Sequence, residues 1–349
     1  HVFRIDLRSR EVTDLTPTSA RWMRWDNTAD PIADVDVSPD GTTLAWVADR
    51  SERSDGELRF SLYLTDLISG EERCLTPDHG GHVTRPRFSP DGSRLVVGRT
   101  EDPHFYADRT RLVELDPATG AERDLTEGFD LSPTGWSFDG SALVFEMESD
   151  ARRPVWRLDG DGSPVEIARD GTLTGLAVVA AGRYVAVRSS ITRPPELVSF
   201  GDGDVGQITD FTAVVAFDPP TVDEVRFAGA RDDEVQMWVV TPPGGLDAPG
   251  PLAHMIHGGP HGAFTDAWQW RWHPAVFCGT DRRAALVNFH GSTGWGQEFA
   301  ASIRGEWGDM PAADIGAATD RLIADGLADP DRIAITGGSY GGYMVSWLT

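Results

Sequence analysis

The sequence predicts two architectures in succession: an incomplete β-propeller of about four to five blades over residues 1–215, then an α/β sheet over residues 216–349. Two observations carry this. A hairpin phrase returns at intervals of 51, 48 and 42 residues through the first part, and strand-like runs alternate with helical patterns through the second. The length of 349 residues agrees, since it leaves room for about two domains of ~150 residues.

The phrase reads DVSPDGTTLAWV at 36–47 and RFSPDGSRLVV at 87–97, with weaker copies WSFDGSALVF at 136–145 and LAVVAAGRYVAV at 176–187. Its turn glycines are Gly41, Gly92, Gly140 and Gly182. Asp-Gly between apolar runs signals a tight hairpin, because glycine supplies the positive φ that such a turn demands. A second phrase alternates with the first: VFRIDL at 2–7, LYLTDL at 62–67, LVELDP at 112–117 and VWRLD at 155–159. Each returns through a segment such as Cys74-Leu75-Thr76 or Asp124-Leu125-Thr126. Two hairpins in every ~40–50 residues match a four-stranded propeller blade. Separate hairpins would be marginal in water, and nothing would keep their period regular. The repeat opens inside an outer hairpin at His1 and runs to about Thr209. A closed ring needs more blades, so the pattern places one or more upstream of His1.

Near FDPPTV at 217–222 the composition changes, and Pro219-Pro220 reads as a linker because neither residue can donate to a central strand. Strands are expected next at 222–227, 236–241, 252–257, 284–289 and 332–336, and helices at 296–303 and 312–324. Ile315, Thr319, Leu322 and Ile323 give the second helix an apolar stripe; Gly326 offers a stop and Pro330 bars continuation. Such alternation packs helices onto a sheet.

The last strand leads into Gly337-Gly338-Ser339-Tyr340-Gly341, a G-x-S-x-G sequence, and 343–348 can start a helix directly after it. This is the layout of a nucleophile elbow, which holds a hydroxyl at the tip of a sharp strand-to-helix turn. Alone the pattern is weak; the strand before and the helix after give it weight. A second element, His257-Gly258-Gly259-Pro260, also follows a buried-looking strand. Acyl transfer needs N–H donors aimed at a developing oxyanion, and a glycine-rich turn at this position can present one.

These residues resemble the prolyl oligopeptidase family of serine peptidases, and most of all its acylaminoacyl-peptidase and dipeptidyl-peptidase V-like branch. HGGPHG (257–262), VNFHGSTGWGQEF (287–299), RGEWG (304–308) and ADPDRIAITGGSYGGYM (328–344) carry the resemblance, with the SPDG hairpins. It implies a β-propeller followed here by the N-terminal half of an α/β-hydrolase domain, ending just after the elbow. It implies Ser339 as nucleophile, the N–H groups of Gly259 and Tyr340 as an oxyanion hole, and a pocket lined by the 291–296 loop, His257, His290, Arg304 and Trp307. The family's triad Asp and His follow the serine, whereas this sequence stops ten residues after it. The reading is therefore of a fragment truncated at both ends and catalytically inactive by itself. His254, His257, His261 and His290 are the nearby histidines, and none is expected to substitute as base. The final strand, 332–336, is expected to be an unpaired apolar edge.

The resemblance implies short peptides as substrates and neither a metal nor an organic cofactor. An esterase with the same machinery, or a non-catalytic propeller with a decayed hydrolase domain, are the alternatives. Nucleic acid and anionic membrane surfaces are disfavoured by a net charge of −24. All 31 basic residues are Arg, which reads as compositional bias or a salt-adapted surface. No apolar run is long enough to span a bilayer, and Cys74 and Cys278 are too few for a disulfide framework. His79 and His82 have no thiol nearby and read as a loop between blades. Glu71-Glu72 reads as solvated charge, the glycines of 201–206 as a hairpin turn, and Trp22, Trp25, Trp268, Trp270 and Trp272 as packing. Oligomeric state and compartment stay open.

Overall fold

The recurrent phrase folds as expected at the level of each turn. Gly41, Gly92, Gly140 and Gly182 take φ of 74°, 74°, 60° and 66°. In the two full copies the Pro-Asp-Gly turn is locked by side chains. Asp91 accepts from Ser89 Oγ at 2.6 Å and from the Ser93 N–H at 3.0 Å, while Ser89 Oγ accepts from the Arg94 N–H at 2.9 Å. Ser38, Asp40, Thr42 and Thr43 repeat the same bonds. The second phrase has its own lock: Asp6, Asp66 and Asp116 each accept the two backbone N–H groups two and three residues on.

The computed structural model describes residues 1–17, 19, 21–23, 33–50, 59–160, 162–201, 203–214 and 218–349. Trp25, Asp202 of the 201–206 turn and Phe217 of the proline junction lie outside the described residues. Four four-stranded sheets follow one another, each with its strands adjacent in chain order. The first holds Val35–Val37, Thr43–Asp49, Phe60–Asp66 and Glu72–Cys74, and the second Val83–Phe88, Leu95–Arg99, Arg111–Leu115 and Glu122–Asp124. The third holds Pro133–Asp139, Ala142–Met147, Val155–Leu158 and Val165–Ala168, and the fourth Thr172–Ala180, Arg183–Ser190, Arg193–Gly201 and Gly203–Gln207. A two-stranded hairpin, Phe3–Ile5 with Val12–Asp14, precedes them.

A further sheet has five strands in the order Thr221–Ala228, Glu234–Thr241, Arg283–Asn288, Gly250–Ile256, Ala328–Gly337. Its first three neighbours pair antiparallel; the Gly250–Ile256 strand pairs parallel on both sides. All five expected strands are present. The last begins earlier than expected, at Ala328, because a register shift between Gly250 and Leu252 accommodates Pro330 on a strand at the sheet's edge. Period two along Met237-Trp238-Val239-Val240 divides the sheet's apolar side chains between its faces. Met237 and Val239 pack with Ile315, Ala318, Leu322 and Met344 of the helices Asp309–Ala324 and Tyr340–Leu348. Trp238 and Val240 pack with Phe264 and Cys278, the latter on a short helix, Pro274–Cys278, that the sequence reading did not anticipate. A helix at Gln297–Ala301 falls inside the expected 296–303.

By compactness the chain divides into two units, His1–Phe145 with Arg157–Val165, and Glu146–Trp156 with Glu166–Thr349. In the first unit the outer strands are closed by buried threonines. Thr76 Oγ1 accepts the Leu62 N–H at 3.0 Å, and Thr126 Oγ1 accepts the Leu112 N–H at 2.9 Å. Leu62 and Leu112 are wholly buried, so each N–H depends on its threonine. Replacing Thr76 by Val keeps the shape and removes the acceptor. Thr76→Val should lower the unfolding free energy by about 1–3 kcal/mol in urea titrations, while Thr76→Ser stays near wild type.

Candidate active site

Only Gly338 and Ser339 separate the Ala328–Gly337 strand from the Tyr340–Leu348 helix. Ser339 takes φ 57° and ψ −122°. Such backbone costs a non-glycine residue about 1–3 kcal/mol and persists only where its surroundings fix it. Here the Gly341 N–H donates to the Gly338 carbonyl at 2.9 Å, and those of Gly342 and Tyr343 donate to the Ser339 carbonyl at 2.9 and 3.1 Å. The serine is exposed and its hydroxyl does not cap the helix. Among the described residues no side chain hydrogen-bonds it.

The turn's glycines follow from sterics. A Cβ on Gly337 would lie 2.6 Å from the Gly341 carbonyl carbon and 2.7 Å from the Ile256 carbonyl oxygen. A Cβ on Gly341 would overlap that same oxygen. Ile256 ends its own strand, and the HGGPHG turn follows at once. That turn lies against the serine: a Cβ on Gly258 would stand 3.4 Å from Ser339 Cβ and 3.9 Å from its Oγ. Gly259, next in the turn, takes φ 126°. Tyr340, as the first helical residue, carries an N–H for which the helix itself offers no acceptor.

Ser339, Gly258, Gly259 and Tyr340 are thus brought together. The other expected pocket residues are placed as follows. His257 is buried, stacked on Phe289 at 4.2 Å, and donates from Nδ1 to the Gly258 carbonyl at 2.8 Å. Burial pushes its pKa down to about 4, so Nε2 is a lone pair, and it accepts from Ser292 Oγ at 3.0 Å. His290 is wholly buried on Asp314 and Asp233, at 2.8 and 3.0 Å. Arg304 is exposed. Trp307 sits edge-on to Tyr340 at 5.9 Å, and its carbonyl accepts the Tyr340 hydroxyl at 2.6 Å. Burial raises the pKa of that hydroxyl. Of the remaining histidines, His261 donates from Nδ1 to the Gly291 carbonyl at 3.0 Å, and His254 donates to Thr319 Oγ1 at 2.8 Å in the core.

Sequence reasoning did not single out Ser292, Glu148, Asp233 or Asp314. Glu148 accepts from Thr293 Oγ1, and the Asp150 N–H donates to Gly294 at 3.1 Å, so the 291–296 loop is braced by the 146–156 segment. Only Asp314 left a signal: a carboxylate on the helix face that also buries Pro311, Ile315, Ala318 and Leu322. Among the described residues no group of three or more His, Cys, Asp or Glu side chains could hold a metal ion.

The steric account separates two neighbouring glycines. A Cβ on Gly342 meets nothing closer than the Gly337 carbonyl oxygen at 3.6 Å, an ordinary contact. Gly342→Ala should therefore match or exceed wild-type stability by up to about 1 kcal/mol through helix propensity. Gly341→Ala should lose about 1–3 kcal/mol in the same denaturation experiment.

Residues 268–349 match the prolyl oligopeptidase family. A probable dipeptidyl-peptidase 5 of Emericella nidulans is 30% identical over 347 residues, covering 90% of this chain and 47% of that relative. Dipeptidyl-peptidase 5 of Schizosaccharomyces pombe is 25% identical over 276 residues, covering 77% of this chain and 40% of the relative. The chain thus spans about half the length of the curated relatives it matches. Among solved structures, Pyrococcus horikoshii acylaminoacyl peptidase superposes with a TM-score of 0.77 at 21% identity, over 98% of this chain and 52% of that one. A puromycin hydrolase superposes with a TM-score of 0.68 at 24% identity, over 90% of this chain and 50% of that one. The strand–Gly-Gly-Ser-Tyr-Gly–helix turn at 337–341 lies inside the segment that matches the prolyl oligopeptidase family.

Proposed function

We propose that the protein carrying this chain is a serine peptidase that hydrolyses short peptides through an acyl-enzyme on Ser339. The observation that carries the reading is Ser339 itself, exposed on a strained turn with the HGGPHG turn against its Cβ and Oγ. The relatives named dipeptidyl-peptidase and acylaminoacyl peptidase support short peptides as the substrate class. On this reading residues 1–215 are propeller blades and 216–349 the first half of an α/β-hydrolase domain.

The chemistry assigns one role to each part. Ser339 Oγ attacks the scissile carbonyl carbon, a base takes its proton, and negative charge gathers on the carbonyl oxygen. The N–H groups of Gly259 and Tyr340 receive that charge. The leaving amine departs protonated, and water then releases the acyl group by the same path. Trp307 braces the elbow by accepting the Tyr340 hydroxyl, with Arg304 three residues before it. None of His254, His257, His261 and His290 serves as base, because each ring is engaged elsewhere. A serine without a base is weakly nucleophilic, so the 349 residues alone are inactive in amide hydrolysis.

Two measurements on the full gene product test this. Ser339→Ala should abolish both hydrolysis of dipeptidyl and acyl-aminoacyl amides and labelling by a fluorophosphonate probe. Undiminished labelling would remove Ser339 from the mechanism, and turnover of p-nitrophenyl esters without any amide cleavage would make the protein an esterase. Gly259→Ala forces a Cβ to within 2.6 Å of the His261 nitrogen and disturbs the turn. Losing one oxyanion donor costs about 10²–10³ in turnover, so kcat should fall that far with KM little changed.

A further inference from the structure

The chemistry proposed for Ser339 leaves one buried charged cluster unused, at His290. We propose that His290 is a buried imidazolium, held between Asp314 and Asp233, that positions the 291–296 loop and through it the HGGPHG turn beside Ser339. This inference does not depend on the peptidase reading.

The protonation state follows from donors and acceptors. His290 and Asp314 are wholly buried. Asp314 Oδ1 accepts the Ala230 N–H at 2.8 Å; Oδ2 accepts the His290 backbone N–H at 2.7 Å and faces its Nδ1 at 2.8 Å. Each oxygen of Asp314 thus already accepts a backbone N–H. On the other side, Nε2 faces Asp233 Oδ2 at 3.0 Å. Asp233 also accepts from Arg231 at 2.8 Å, and the bonds from His290 and Arg231 hold its carboxyl below the usual range. A neutral imidazole has one N–H and would turn a lone pair toward one of these oxygens. Only the doubly protonated ring donates to both, and His290 and Arg231 then balance Asp314 and Asp233.

The groups facing the ring come from three other elements: Asp314 from the Asp309–Ala324 helix, Asp233 and Arg231 from the turn after Gly229, and Phe299, stacked at 4.6 Å, from the Gln297–Ala301 helix. Tyr340, from the elbow, is an electrostatic neighbour of Asp314. Burial works against the charged ring, but its bonds to Asp314 and Asp233 outweigh burial and raise its pKa above the ordinary 6.5. The sign follows. A group whose pKa rises on folding stabilises the fold fully below its unfolded value, and that contribution disappears as pH climbs through the folded value.

The path to the serine is short. Gly291 follows the ring; its N–H donates to Phe299 at 3.0 Å, and its carbonyl accepts His261 Nδ1 at 3.0 Å. The Thr293 N–H donates to the Gly262 carbonyl at 3.0 Å. His261 and Gly262 belong to the turn whose Gly258 lies against Ser339. A charge fixed at 290 thus sets the backbone that props up the candidate oxyanion turn.

The test uses the full gene product and needs no turnover. Long-range ¹H–¹⁵N spectra of the imidazoles should show both His290 nitrogens protonated at pH 6. Amide exchange, corrected for its intrinsic pH dependence, should rise tenfold or more at Gly291, Thr293 and His261 between pH 6 and pH 9, with Leu62 unchanged. His290→Gln should show that faster exchange already at pH 6. If this variant does not fold, Asp233→Asn removes one ionised partner at an accessible site and should move both the ring titration and the loop opening to lower pH. A neutral ring at pH 6 would overturn the proposal. So would loop exchange that is the same at pH 6 and pH 9 in wild type and in Asp233→Asn.

Discussion

The site rests on one close approach of backbone to backbone. Gly341, at the start of a helix, presses on the carbonyl oxygen of Ile256, at the end of the neighbouring parallel strand, and Gly337 packs into the same corner. No side chain fits there. The approach forces the chain to turn from strand to helix across two residues, and so forces Ser339 out of the ordinary regions at φ 57°. It also brings Ile256, and with it the next residues, up to the serine. The strained serine and the glycine turn are therefore two consequences of the same packing constraint, and neither can be relaxed without the other.

That constraint explains how much of the site was legible in the sequence. A glycine required by a collision leaves the same residue at the same spacing wherever the collision occurs, so G-x-S-x-G and HGGP could be read without coordinates. The Asp-Gly hairpins were legible for a related reason: a positive φ at Gly41 or Gly92 admits few residues. The long helix could be read from its stripe. By contrast, the pairing of His290 with Asp233 and Asp314 joins residues 57 and 24 positions apart. No periodicity encodes such a meeting. The short Pro274–Cys278 helix spans little more than one turn, too short to show any period. The strand through Pro330 was cut short because proline reads as a stop, although at a sheet edge with a register shift its missing donor costs little.

The acidic composition acquires a meaning that counting could not supply. Five carboxylates at the two kinds of repeated turn, Asp40 and Asp91 in one and Asp6, Asp66 and Asp116 in the other, are pulled below the ordinary carboxylate range by hydrogen bonds from nearby Ser, Thr or backbone groups. Asp91 is drawn to about 2, chiefly by Ser89. These aspartates act as turn locks, accepting N–H groups that a short hairpin leaves unpaired. These five of the 55 acidic residues are thus placed by backbone geometry. The arginines fit the same economy of structure. Arg226 alone reaches Asp150, Glu224 and Glu234, and Arg152 bonds Glu224 while lying over the Trp238 ring at 5.0 Å. A lysine could supply the charge at such a site but not the planar fork or the stacking.

The histidines around Ser339 show how one residue type is divided among different tasks by its surroundings. His257 is buried among aromatic rings and bonds no carboxylate among the described residues; it is held neutral with a fixed tautomer, Nδ1–H to Gly258 and Nε2 as acceptor for Ser292. His290 is buried as deeply but between two carboxylates, and its pKa moves the other way. Desolvation is the largest influence on both; what differs is the partner, and the partner decides the sign. His257 orders the glycine turn from within and His290 braces the loop behind it, while His261 joins the two by bonding Gly291. Three imidazoles thus build the frame in which the serine stands.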